Sequence, residues 1–257
     1  MRYDLHIHTE YCGHAPGMTV EAICAGAAER NIETIAITDH IYGPQSVSVL
    51  EKIRQDVRAC RGGLEVIVGA EVDVDGDFAD GRLVCDVPEG ADYVIAGVHY
   101  VPTVGNYPWR PEQNNLEAGT FMRYWKSTLL GVVSNPKVHT LAHPGRLLAA
   151  ALGSAVDWAA ATAVFGQAAK LSAGNGIAWE INELTGQRLS PELKEKWHQI
   201  YEVALDAGVK LVYGSDAHEP AAMGKSVFAE YILSKLPAGS LSEPREIFEW
   251  KKAKILC

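Results

Sequence analysis

Seven short apolar runs punctuate the 257-residue chain, each followed by residues that read as helix or loop. They are YDLHI near residue 3, ETIAI at 33–37, LEVIVGA at 64–70, DYVIAGV at 92–98, VHTLA at 138–142, GIAWEI at 176–181 and VKLVYG at 209–214. Parallel strands must be joined by long crossovers, so short runs alternating with helical stretches point to a parallel α/β sheet. Three of the intervening helices have legible ends. MTVEAICAGAAER opens on Thr19 as N-cap and SVSVLEKIRQDVRAC on Ser46, while SPELKEKWHQIYEVALDAG runs as one helix from Ser190 and Pro191 to a stop at Gly208. With 47% hydrophobic residues the chain can bury one large core. We therefore expect a single domain over 1–257 that can close into a barrel, its working face at the C-terminal ends of the strands.

The residues at those strand ends share one chemistry. His6 and His8 end the first run, Asp39 and His40 follow the second, Glu71 the third, His99 the fourth and His143 the fifth. Glu180 and Asn182 end the sixth, and Asp216 and His218 follow the seventh. Imidazole nitrogen and carboxylate oxygen are ligands for zinc, manganese and iron, all of which accept such mixed shells. An isolated H-x-H carries little weight, because two surface histidines on a strand look the same. Here His6, His8, His14, His40, Glu71, His99, His143, Asp216 and His218 all fall at one barrel mouth. At roughly four ligands per ion, with bridging carboxylates, that set suits two or three divalent metal ions. His139 begins its strand at the opposite end and His198 lies inside a helix, so structural or solvated roles are expected of both.

The segments DLHIHT, TDH, GAEVD, GVHY, AHPG and GSDAH occur in this order between residues 4 and 218. Together they resemble the successive motifs of the polymerase and histidinol phosphatase (PHP) superfamily. CGHA, Cys12 to Ala15, is similar to the histidinol-phosphate phosphatase branch. The resemblance implies a distorted (β/α)7 TIM-like barrel with a trinuclear metal centre. It implies that His6, His8, Glu71 and Asp216 hold one ion, His14, His40 and His218 a second, and Glu71, His99 and His143 a third. The activity implied is metal-assisted phosphoester hydrolysis by attack of a bridging hydroxide, with histidinol phosphate, an intermediate of histidine biosynthesis, as substrate. Glu71, Asp216 and Asp39 are the candidate catalytic carboxylates. Asp39 is placed either to orient a histidine ring or to serve a turn.

The net charge of −9 offers no broad basic face, so neither nucleic acid nor anionic lipid is an expected partner, and an anionic substrate must be attracted locally. Three divalent ions set against Glu71, Asp216 and one hydroxide would leave three positive charges at the mouth. Phosphate holders should be arginines, whose planar guanidinium pairs bidentately with phosphate oxygens. Arg146 after His143, Arg188 after Asn182 and Arg110 in the YPWRPEQ loop are the candidates. On strand six only one of Glu180 and Asn182 is expected to face the mouth, with Asn182 read as a polar substrate contact. Glu183 beside it is either a carboxylate for a cationic leaving group or simply solvated. DVDGDFADG from Asp73 is an acidic loop, since Phe78 and Val84 stand where a calcium loop needs glycine and glutamate. The five cysteines are scattered and lack C-x-x-C spacing, so reduced thiols are expected. With no apolar run long enough to span a membrane and no room for a leader before Asp4, a cytoplasmic location is expected. The alternatives left open are another small phosphate ester, such as a nucleotide or sugar phosphate, or a phosphodiester; a metal amidohydrolase; and a metal-binding protein without activity. Oligomeric state is not legible.

Overall fold

The computed structural model describes residues 1–60, 63–105 and 116–255. Among the described residues there are ten strands: β1 (Tyr3–Ile7), β2 (Thr34–Ile37), β3 (His40–Ile41), β4 (Glu65–Asp73), β5 (Tyr93–Gly97), β6 (Tyr100–Val101), β7 (Val104–Gly105), β8 (Thr140–Ala142), β9 (Ala178–Asn182) and β10 (Leu211–Gly214). Seven of them, in the order β1-β2-β4-β5-β8-β9-β10, form one all-parallel sheet, and each coincides with an expected apolar run. The two-residue β3 extends the sheet beside β4, and β6 and β7 make a small hairpin apart from it.

The sheet curls into a nearly closed barrel. Between β10 and β1 the backbone ladder is short: Asp216 N donates to His6 O at 2.8 Å and His8 N to Ala217 O at 3.1 Å. Below that point side chains stitch the seam. Asp4 is fully buried, and its carboxylate accepts from Ser215 N (2.9 Å), Gly224 N (3.1 Å) and His6 N (3.3 Å). The Tyr3 hydroxyl accepts from Tyr213 N at 3.3 Å and donates to Ser242 O at 2.7 Å. A twisted seven-stranded sheet thus closes without a full seventh ladder.

Helices clothe the outside: α1 (Val20–Glu29), α2 (Val49–Ala59), α3 (Ala118–Val133), α4 (Arg146–Leu152), α5 (Trp158–Asn175), α6 (Glu183–Arg188), α7 (Pro191–Lys196), α8 (His198–Asp206), α9 (Val227–Leu233) and α10 (Pro244–Ile255). Thr19 caps α1 as expected, its hydroxyl accepting from Ala22 N at 3.1 Å. Ser46 does not cap α2. It closes a turn after Gly43 and Pro44, donating to Gly43 O and accepting from Tyr42 N, and the helix begins at Val49. The expected long helix from Ser190 is broken at the fully buried Trp197, where tight turns replace one stretch of α-helical bonding, giving α7 and α8. Gly208 ends α8 with φ +83°, as a left-handed stop requires.

Strand residues alternate in chemistry although nearly all are buried. On β9, Trp179 points outward, its indole donating to Ser172 of α5, while Glu180 and Asn182 point inward. On β1, Leu5 and Ile7 pack in apolar clusters while Asp4, His6 and His8 are turned the other way. Period-two alternation therefore yields an apolar outer shell against the helices and a polar inner wall.

His139 sits in the opposite setting from the other strand histidines. Its Nδ1 accepts from Val94 N at 3.1 Å, and its ring packs on Tyr93 and Phe248. Burial, aided by Lys251, pushes the imidazole down from 6.5 to about 4. Below pH 6.5 the unfolded chain takes up a proton that the folded one refuses. This contribution is intact above 6.5, and stability falls by about 2–3 kcal/mol as the pH drops to 4. His139→Asn, which keeps an acceptor, should flatten that acid limb in urea unfolding at pH 5 and pH 8. An unchanged difference between the two pH values would refute this role. His198 lies on the surface, its ring bonded to Glu195 O at 2.9 Å.

Candidate metal centre

All nine expected ligands come together at the C-terminal mouth. Glu71, near the end of β4, is the hub. Its Oε1 lies 2.8 Å from His143 Nε2 and 3.5 Å from His99 Nε2, and its Oε2 lies 3.1 Å from His40 Nδ1, 3.3 Å from His6 Nε2 and 3.5 Å from His8 Nε2. Five imidazoles thus surround one buried carboxylate. Asp216 adds a second carboxylate, with Oδ1 3.3 Å from His8 Nε2 and 3.7 Å from His6 Nε2. His14 and His218 complete the rim, their Nε2 atoms 3.0 Å apart. Sets whose donor atoms lie within 4.8 Å of one another include His6, His8 and Asp216; His14, His40 and His218; and His40, Asp73 and His99.

The backbone is bent to make this possible. His143 (φ +32°) and Asp216 (φ +57°) both occupy the left-handed region, which side-chain-bearing residues rarely adopt. Gly214 and Gly97 clear the space: a Cβ at Gly214 would meet Glu180 Oε1 at 2.0 Å, and one at Gly97 would meet His99 Cε1 at 2.5 Å.

Two carboxylates aim the rings, and a third braces a turn beside them. Glu180 Oε1 holds His6 Nδ1 at 2.7 Å, and its Oε2 accepts from His143 N at 2.7 Å and from the Asn182 amide at 3.1 Å. Asp73 Oδ1 holds His99 Nδ1 at 2.7 Å. Asp39 binds both the amide and the hydroxyl of Thr9, and its nearest oxygen is 3.9 Å from His8 Nδ1, beyond hydrogen-bond reach. Burial raises the Asp39 carboxyl to about 6 against those two bonds. Glu180 and Asp73 carry functions that sequence reasoning missed. Both stand two residues from a recognised strand-end residue, and a period of two places such neighbours on one face. For the same reason the expectation that only one of Glu180 and Asn182 faces inward is corrected: both do. Asn182 is fully buried, its amide donating to Glu180 and, at 3.3 Å, to Asp216, while its Oδ1 caps α6 at Thr185 N. Asp73 ends a strand and does not belong to the acidic loop after it. Glu183 is neither solvated nor at the mouth: buried, it accepts from Phe228 N and Ala229 N at the start of α9.

The donor set fits divalent cations. His14 Nδ1 donates to Cys12 O and His218 Nδ1 to Asp216 O, so each ring turns a bare Nε2 toward the other. Burial holds His14 below its ordinary value and pushes His218 down to about 4, so neither brings a second proton to fill the 3.0 Å gap. Two facing lone pairs need a cation between them. Burial likewise lowers His8, and pushes His143 down to about 4. Against burial, Glu180, Asp216 and Glu71 raise His6, and Glu71 and Asp73 raise His40, so those two rings hold protons that a metal would displace. Burial also opposes ionisation of Glu71 and Asp216. Nevertheless His40 and His6 keep Glu71, and His6 and Arg146 keep Asp216, well below the usual carboxylate range.

On one side the cluster opens into a cavity of about 1010 Å³. Arg146, at the start of α4, and Arg188, at the end of α6, both line it. Arg146 Nη1 donates to Asp216 Oδ2 at 2.6 Å, while its buried Nε has no partner among the described residues. Burial and the neighbouring Arg146 lower Arg188. The far walls are mostly apolar, with Ala149, Leu184, Leu189 and Leu193. Arg110, the third candidate arginine, lies outside the described residues.

Residues 4–184 match the family model described as PHP domain. A probable phosphatase of Syntrophotalea carbinolica is 27% identical over 225 residues, covering 84% of this chain and 83% of its own length. A probable histidinol-phosphatase of Deinococcus radiodurans is 26% identical over 239 residues, covering 86% of this chain and 88% of its own. Among solved structures, the histidinol phosphate phosphatase of Lactococcus lactis, complexed with zinc, L-histidinol and phosphate, superposes with a TM-score of 0.67. It is 17% identical, and the match covers 91% of this chain and 93% of that one.

Proposed function

The chain belongs to the PHP domain family and is a metal-dependent phosphoesterase, and on that premise we propose that it hydrolyses a small phosphomonoester, histidinol phosphate, to histidinol and phosphate. The observation that carries this reading is the pair Arg146 and Arg188, side by side in a cavity whose floor is the imidazole and carboxylate cluster. Arg146, largely buried, and the more exposed Arg188 repel each other and form a site that an anion relieves, and a doubly charged phosphate monoester relieves it best.

His6, His8, Glu71 and Asp216 would hold one divalent ion, His14, His40 and His218 a second, and Glu71, His99 and His143 a third, with zinc, manganese or iron as the candidates. Bound there, such ions supply a nucleophile at neutral pH and neutralise charge on the phosphoryl oxygens. The protein's own groups do the rest. Arg146 and Arg188 grip and orient the phosphoryl group, and Asp216, already tied to Arg146, keeps that arginine aimed at the cluster. Glu180 and Asp73 hold His6 and His99 with their Nε2 atoms inward. Asp39 braces the Thr9 turn between the first two histidines and His14. Asp73, Glu180 and Arg146 all face the cluster, so the positive excess expected from Glu71 and Asp216 alone falls by one unit.

The zinc-, histidinol- and phosphate-bound Lactococcus structure and the Deinococcus relative support this substrate and an enzyme acting on small molecules. The cavity volume favours a second reading. About 1010 Å³ is at the top of the usual range for small-ligand pockets and admits a nucleotide or sugar phosphate. The deciding experiment is phosphate release from a panel of esters by the metal-loaded protein. The proposal expects histidinol phosphate to turn over faster than generic phosphomonoesters, with Arg188→Ala acting chiefly on KM. Ready cleavage of nucleotides or diesters with histidinol phosphate ignored would reject it.

A further inference from the structure

We propose that Cys24 and Cys60 form a reversible disulfide, a two-electron oxidation site on the outer helical layer that stands independently of the phosphatase reading. Cys24, in α1, directs its thiol at Cys60, the residue that terminates α2, and the sulfurs are 2.7 Å apart. Closing that gap to a bond of about 2.04 Å needs a shift of less than an ångström. Cys60 Sγ also lies 3.9 Å from Val20 O, which seats it over the first turn of α1. Both residues are half-exposed and line a surface cavity of about 990 Å³, so a small oxidant reaches them. Cys12 and Cys85 are also half-exposed, but neither has a sulfur neighbour among the described residues. Burial and the contact with Cys60 push the Cys24 thiol up to about 12, so Cys24 keeps its proton and acts as the second, resolving sulfur.

With a hydroperoxide as oxidant the step balances. The Cys60 sulfur attacks one peroxide oxygen, the O–O bond breaks, the departing hydroxide takes the Cys60 proton to leave as water, and Cys60 becomes a sulfenic acid. Cys24 sulfur then attacks Cys60 sulfur, the S–O bond breaks, and the departing hydroxide takes the Cys24 proton. Two thiols and one hydrogen peroxide thus give one disulfide and two waters.

The test treats the full-length, metal-loaded protein with one equivalent of hydrogen peroxide, alkylates the remaining thiols under denaturing conditions and maps peptides by mass spectrometry. The expected product is a single cross-link between the peptides bearing Cys24 and Cys60, lighter by two hydrogens and reversed by dithiothreitol. Because the bond closes a long loop, Tm should rise by roughly 5–10 °C. Cys24→Ser should abolish both the cross-link and the Tm rise and leave Cys60 as a sulfenic acid trappable by a dione. Oxidation of Cys12 or Cys85 while Cys24 and Cys60 stay alkylatable would overturn the proposal. Bonds linking either of the pair to a different cysteine would do the same.

Discussion

Glu71→Gln is expected to lower phosphate-ester turnover by about 10³-fold or more and to strip at least one ion from the protein, while leaving the barrel folded. The substitution keeps volume and most packing but replaces an anion with an amide, one end of which presents N–H groups to ligand nitrogens. Five imidazoles converge on this side chain within 3.5 Å, from β1, β3 and the turns after β1, β5 and β8, so no other described residue serves so many positions at once. The neighbouring imidazoles already hold it ionised despite full burial. Measuring kcat and metal content together separates the two consequences. Ions lost with turnover kept within tenfold of wild type would mean that Glu71 has only a structural role.

Asp4→Ala should destabilise the protein by about 3–5 kcal/mol, a large part of a typical domain's stability. The Asp4 carboxylate accepts from three backbone N–H groups at the seam, where the pairing of β10 with β1 is incomplete. Its removal leaves those donors buried without partners, each costing about 1–3 kcal/mol. Asp4→Asn should lose less, because one oxygen can still accept from His6 and Ser215 while the new N–H₂ opposes Gly224. Thermal unfolding of both variants would show the ranking. Equal, small losses would mean that the seam is held elsewhere.

The seven strands and the gathering of candidate ligands at one mouth were legible because all but His14 rest on a local signal: an apolar run of strand length, then a histidine or acid at its end. His6 and His8 could be read two apart on one strand, and Thr19 as a cap three residues before the N–H it accepts. What stayed hidden depends on partners far along the chain. Glu180 is 174 residues from His6, and Asp4 is 211 from Ser215, so nothing near either residue announces its bond. Asp73 and Glu180 were within reach of the same period-two rule that pairs His6 with His8. An acidic loop drew Asp73 into the wrong context, and an error of strand parity separated Glu180 from Asn182. Glu183 looked solvated because its donors, the N–H groups of Phe228 and Ala229, lie on a helix that only the closed fold brings near. The break at Trp197 likewise reflects a demand of the core, since that indole is fully buried, over the local preference for one continuous helix.

The central claim is that this constellation is a multinuclear metal centre, and the most direct measurement is elemental analysis of the purified chain after growth with manganese, iron or zinc. Two to three divalent ions per chain are expected, released together as acid protonates the histidine ligands. Less than one ion per chain under all three supplements would contradict it.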